Sequence, residues 1–167
     1  MQTKKIPRKA RRADQNIHRV ETPVSTTLRR VFFWPALLLG IIWALPLTLF
    51  GLLLALPIRL IKGHVMVFNG GTYALVVRGP FGDQLLARHP FGAMSAMAIG
   101  HVVVVAQDAM STRILTHELA HVSQAARWGM LFPFAYLAAS AWALIHGRDA
   151  YWHNTFEVAA RDAERHI

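Results

Sequence analysis

Cysteine is absent from the 167 residues. That excludes disulfides and any thiolate metal site, and it says nothing of the compartment. Charge is scarce too. Asp, Glu, Lys and Arg make up 16 % of the chain and apolar residues 54 %, a balance unusual for a purely soluble domain. Acidic residues are the scarcer half, nine against 18 basic, for a formal charge of +9. The excess is local. Residues 1–30 carry nine Lys/Arg against Asp14 and Glu21, a net of +7, and residues 31–167 carry only +2. Within the tail Lys4, Lys5, Arg8, Lys9, Arg11 and Arg12 cluster with few apolar residues between them, the composition of a disordered segment. Such a tail sets membrane orientation and can bind anionic membrane lipid beside a span. No folded recognition motif accompanies the charge, which argues against nucleic acid.

Charge is missing altogether from Val31 to Ile58. These 28 residues exceed the ~20 that cross a bilayer as helix. The run is too long, and the tail before it too extended, for a cleavable signal peptide. An 11-residue repeat runs Pro35–Leu45 and then Pro46–Leu56, followed by Pro57. Eleven residues make about three helical turns, so the prolines fall near one face. Pro46 predicts a kink in mid-segment. One kinked span over 31–62 is the first reading. A hairpin turning near Pro46, with arms of about 16 Å dipping into one leaflet, is the other. The positive-inside rule puts the N-terminus in the cytoplasm. A single span then places residues 63–167 outside the cytoplasmic membrane, and a hairpin reverses that.

Beyond the apolar run, His64–Asn69 and Thr72–Arg78 flank Asn69-Gly70-Gly71 and predict a β-hairpin. Gly79-Pro80 and Phe81-Gly82-Asp83 mark a loop. Met97–Ala106 reads as one β-branched strand, buried at Val102–Val105. His64, His89 and His101 fall on strands or loops. The expectation is an α+β domain with a small sheet of three or four strands. Residues 128–146 form a second uncharged run containing Pro133, Tyr136, Ser140 and Trp142. It is marginal as a span, and Trp and Tyr suit a helix packed at the membrane surface. Asp149–Arg165 reads as the last helix.

No Pro or Gly interrupts Arg113–Arg127, and Asp108, Ser111 and Thr112 offer N-cap oxygens before it. This helix carries His117-Glu118-Leu119-Ala120-His121, an HExxH. Residues i and i+4 share one helix face, so the two imidazoles can hold one metal ion. Glu118 is then placed to take a proton from a water as general base. The competing reading is a pair of hydrogen-bonded core histidines. A catalytic site needs a third ligand. The HExxHxxGxxH pattern is excluded, because Gln124 and Arg127 stand where it has Gly and His. His146, Asp149, His153 and Glu157 are the candidates.

The run Ile114–Gln124 resembles the HExxHxxQ type of zincin metallopeptidases, which includes small bacterial membrane-associated proteins and the zincin-like core domain of contractile injection systems. The likeness extends to Ala96–Val104, similar to the strand those proteins carry before the metal helix, and to Asn154-Thr155-Phe156-Glu157-Val158-Ala159-Ala160, similar to their N-x-F-E-x-x-A segment. It covers roughly residues 64–165. It implies a zincin-like fold, zinc as cofactor, and Glu157 as third ligand, with His153 the runner-up or an oxyanion donor. Many such enzymes carry an Asp four residues after that Glu, orienting a ligand His. Here Arg161 occupies the position and Asp162 follows it. Asp162 and Gln124 are thus further candidates for the surrounding shell. The implied function is a zinc metallopeptidase anchored in a bacterial inner membrane and acting on a peptide or protein. If the strand near Ile99–Val104 is a sheet edge, it can pair with an extended peptide. A non-catalytic subunit or adaptor of a membrane complex is the alternative, and a lipid-binding anchor with an incidental HExxH the third.

Overall fold

Four consecutive valines, Val102–Val105, form the centre of the fold. Branched at Cβ, they favour the extended backbone, and successive side chains point to opposite faces. All four are buried, as a strand covered on both faces requires. The computed structural model describes Pro35 and residues 38–69, 72–90 and 92–165. The basic tail, the first residues of the apolar run and the hairpin glycines Gly70 and Gly71 lie outside the described residues.

The valine strand is β4 in a four-stranded mixed sheet, ordered β1-β2-β4-β3. Strands β1 (His64–Asn69) and β2 (Tyr73–Arg78) form the expected antiparallel hairpin, with Asn69 opposite Tyr73. β2 runs parallel to β4, in register Leu75 to Val102. β3 (Ala96–Ile99) lies antiparallel on the far side of β4 and forms an edge. The single strand expected over Met97–Ala106 is therefore two. Gly100, at φ +59°, reverses the chain between them, in a conformation that favours glycine. The loop expected at Phe81-Gly82-Asp83 is instead helix α2 (Pro80–Ala87). Pro80 suits the first turn of a helix. The Asp83 carboxylate accepts hydrogen bonds from the Gln107 backbone at 3.0 Å and side chain at 2.8 Å.

One face of the sheet is covered by α1 (Leu45–Leu60) together with α2. Ala55, Ile58 and Leu86 pack there on Val77, Val102 and Val104. Gly51 brings α1 onto the sheet. A Cβ at that position would stand 2.6 Å from the Ile99 carbonyl oxygen. Residues 38–43 are also helical and lead into α1 through a turn at Ala44. Ala44 donates to the Gly40 carbonyl and Thr48 to the Ala44 carbonyl, both at 2.9 Å, so the chain continues in one direction past Pro46. The hairpin reading fails for these residues. Leu45–Leu60 is thus one layer of the domain.

The other face carries α3 (Thr112–Trp128), whose Val122 packs with Ala74, Val76, Val103 and Val105. Ser111 caps α3 by accepting from the Ile114 N–H at 3.2 Å. The helix ends at Gly129, where φ is +55° and a Cβ would meet the Trp43 ring at 2.5 Å. A 3-10 turn, Gly129–Leu131, leads into α4 (Phe132–Ile145). By length and composition the helical stretch Thr112–Ile145 is apolar enough to cross a membrane. It is two helices, however, joined through the break at Gly129. The last helix, α5 (Thr155–Glu164), lies along α3.

Candidate metal centre

Three side chains converge where α3 meets α5. His117 and His121 stand one turn apart on α3, and Glu157 lies in the first turn of α5. The two Nε2 atoms are 3.1 Å apart. Glu157 Oε2 is 3.2 Å from His117 Nε2, and Oε1 is 3.1 Å from His121 Nε2. In a tetrahedral site with bonds of about 2.0–2.1 Å, neighbouring ligand atoms lie about 3.3–3.4 Å apart. The cluster has nearly the dimensions of one face of that tetrahedron, so the residues fit a divalent metal ion. When both imidazoles turn lone pairs inward, buried Glu157 Oε2 is left without a hydrogen-bond donor, which is costly unless something else meets it.

The outer nitrogens settle the tautomers. His117 Nδ1 lies 2.7 Å from Glu164 Oε1, and a carboxylate can only accept, so Nδ1 carries a proton and, in the neutral ring, Nε2 offers its lone pair. His121 Nδ1 donates to Gln124 Oε1 at 2.8 Å, and Gln124 Nε2 donates to the Phe156 carbonyl at 2.9 Å. Both amide ends of Gln124 are thereby used. Arg113 holds the other oxygen of Glu164 at 2.5 Å. Glu164 is the residue that the sequence reading missed. It stands seven positions after Glu157, two turns on along the same face, and supplies the carboxylate expected at Arg161 or Asp162.

Asn154 positions Glu157. Its Oδ1 accepts from the Phe156 N–H at 2.9 Å and caps α5. Its Nδ2 donates to the Tyr136 carbonyl at 3.0 Å and to Ser140 Oγ at 2.8 Å, pinning α5 to α4. Tyr136 donates its hydroxyl to Glu157 Oε1 at 2.8 Å. Phe156 lies against the rings of Trp128, Phe132 and Tyr136, and the aromatic group closes one side of the site.

The remaining candidates lie elsewhere. Asp162 pairs with Arg165 on the surface at 3.1 Å, and His153 is exposed. His146 Nδ1 donates to the Trp142 carbonyl, and Asp149 accepts from the Tyr151 and Trp152 backbones. His101 Nδ1 lies 3.1 Å from Thr48 Oγ1 on the other side of the sheet. Arg161 places Nη1 3.7 Å from Glu157 Oε2, donates to the Trp152 carbonyl at 2.6 Å, and lies over the Trp152 ring.

Electrostatics follow from this packing. Burial alone would lower the pKa of both histidines, but hydrogen bonds to Glu157, and to Glu164 in the case of His117, raise them with help from the Glu118 charge. Burial alone would raise Glu157, but the two histidines and Tyr136 hold its carboxyl far below the usual range. The cluster is thus negative and draws positive charge, whether protons or a metal ion. Glu118 is buried, and burial pushes its carboxyl up against the lowering effect of both histidines. It also accepts a backbone hydrogen bond from Ala98 on β3, so it faces the sheet edge.

Comparison with known protein families, curated proteins and solved structures finds no match for this chain.

Proposed function

We propose that the chain is a membrane-associated, zinc-dependent metallopeptidase, with His117, His121 and Glu157 as ligands and Glu118 as general base. One observation carries the reading: two imidazoles and a carboxylate converge at 3.1–3.2 Å, with Nδ1 of each imidazole engaged by an acceptor. Two His and one Glu is a ligand set of catalytic zinc, and the metal when bound acidifies a water and polarises a carbonyl. Glu118 stands about 100° round the helix from His117 and displaces neither ligand. Its raised pKa brings it nearer to the working range of a general base. Ala98, whose N–H meets Glu118, belongs to the edge strand β3, beside which an extended peptide would pair antiparallel or parallel with the sheet.

Glu118→Gln tests the reading. It should keep fold and zinc while lowering peptide hydrolysis about 10²–10⁴-fold. His117→Ala should lose metal and activity together. Fully zinc-loaded wild-type protein that cuts no peptide library, with no cellular effect of Glu118→Gln, replaces the peptidase with a metal-stabilised subunit of a membrane complex.

A further inference from the structure

Helix α4 has two dissimilar sides. Tyr136 and Ser140, one turn apart, face α5, where they bond Glu157 and Asn154. Phe134, Leu137, Leu144 and Ile145 are exposed on the helix, as is Trp142, and Ile145 reaches 78 %. No Asp, Glu, Lys or Arg occurs between Phe132 and Ile145. Helix α1 repeats the division. Gly51, Ala55 and Ile58 meet the sheet, while Leu49, Leu53, Leu56 and Leu60 form an exposed stripe at spacings of four, three and four. The two elements meet where Trp43, before α1, lies against Gly129, and Met130 and Leu131 are exposed beside that contact. Apolar patches beyond a few hundred Å² are rare on soluble monomers and mark surfaces that something covers.

Charge and residue type favour a bilayer as the cover. The chain before these helices carries the net +7 of residues 1–30, which complements anionic headgroups rather than a second copy of the same basic chain. Trp43, Trp128 and Trp142 are exposed around the apolar helices, and Trp favours the boundary between headgroups and acyl chains.

We propose that the outer faces of α1 and α4 seat together in an anionic lipid surface, and that this restricts the site to polypeptide emerging from the same bilayer. The substrate class rests on the peptidase reading above; the seating does not. The restriction follows from thickness. Glu157 hangs from the inner side of α4 through Tyr136, and a helix with its side chains is about 10–12 Å across. An extended chain covers that distance in roughly three or four residues. The segments reached are juxtamembrane stretches of membrane-anchored proteins, whereas sites far from the membrane, and peptides free in solution, lose the advantage of tethering.

Because the chain has no cysteine, single cysteines can carry a spin label without background. Full-length protein labelled at Leu137→Cys, Leu53→Cys or Asp162→Cys is reconstituted with vesicles of equal parts phosphatidylcholine and phosphatidylglycerol. The Leu137 and Leu53 labels should be oxygen-accessible and shielded from a water-soluble nickel chelate, and the Asp162 label the reverse. Nickel access at Leu137 and Leu53 overturns the seating. So does dipolar broadening between copies with no lipid dependence, which makes the face a dimer interface. The reach is read without catalysis, by photo-crosslinking Glu118→Gln protein to peptides tethered to a transmembrane helix through spacers of about 3 and about 20 extended residues. The short spacer should crosslink about tenfold better, as effective concentration requires. Equal yields, a preference for the long spacer, or no crosslink overturn the substrate class. Spacer-dependent crosslinking without hydrolysis by wild-type protein sinks the peptidase reading alone.

Discussion

Glu164, at a helix end, shows how one side chain can orient a histidine of the candidate metal centre without entering it. It accepts from His117 Nδ1 and is held by Arg113, so it fixes both the ring and its tautomer. Glu164→Gln should keep the fold and weaken zinc binding about 10–100-fold in a competition titration with a chromophoric chelator. An unchanged affinity would show that the tautomer is set without it. The shifted pKa values of His117, His121 and Glu157 also give metal-free protein a definite pH profile. The histidines are raised above the ordinary 6.5, so their pairing with Glu157 stabilises the fold fully below 6.5 and fades as pH rises through their folded values. Glu157 is lowered from the ordinary 4.5, so its contribution is present above 4.5 and fades as pH falls. Thermal midpoints of chelator-treated protein should peak between these limits and decline toward pH 8, where added zinc should restore them. A midpoint that climbs steadily to pH 8 without metal contradicts this. The convergence of His117, His121 and Glu157 was legible in the sequence because a helix turns the spacing of the two histidines into proximity, and Asn154 and Phe156 flag the helix that brings Glu157. Glu164 was not, since only the crossing of α5 over α3 shows that its seventh position, not its fourth or fifth, reaches His117.

At the scale of elements, local patterns foretold most of what formed. The hairpin at Asn69 and the α3 cap at Ser111 depend on neighbours in sequence and could be read there. Two features could not. Gly82 sits in a helix because it packs against Val104 and Ile58, a tertiary gain that outweighs glycine's poor helix propensity. Gly100 splits an apolar run that reads as one strand, because its positive φ allows a tight reversal. The α1–sheet contact is also tertiary and turns on one atom. Gly51→Ala should push α1 off the Ile99 carbonyl and cost about 1–3 kcal/mol, as overpacking does. The thermal midpoint should fall by roughly 3–10 °C, while Leu53→Ala, on the exposed side, should shift it little. Equal effects of the two changes would mean that α1 does not pack as described.

For the whole molecule, composition alone invites a cut between an anchor and a domain near residue 62, and the packing of α1 on the sheet crosses that line. Residues 37–167 form one compact unit. A chain starting at His64 would expose Val77, Val102, Val104 and Leu86, which α1 covers. Such a truncation should aggregate or lose cooperative unfolding, whereas removal of residues 1–30 should leave both intact. A soluble, cooperatively folded 64–167 fragment would return α1 to the role of a detachable anchor. The same arrangement has a consequence in time. Gly51 leaves the ribosome 51 residues ahead of Val102, against which it packs. At about 5–20 residues per second, α1 waits about 3–10 s for the strand it covers. Through that interval both sides of the helix are apolar and unpaired, so the order of synthesis, and not only the finished contact, asks for an apolar phase close to the ribosome exit.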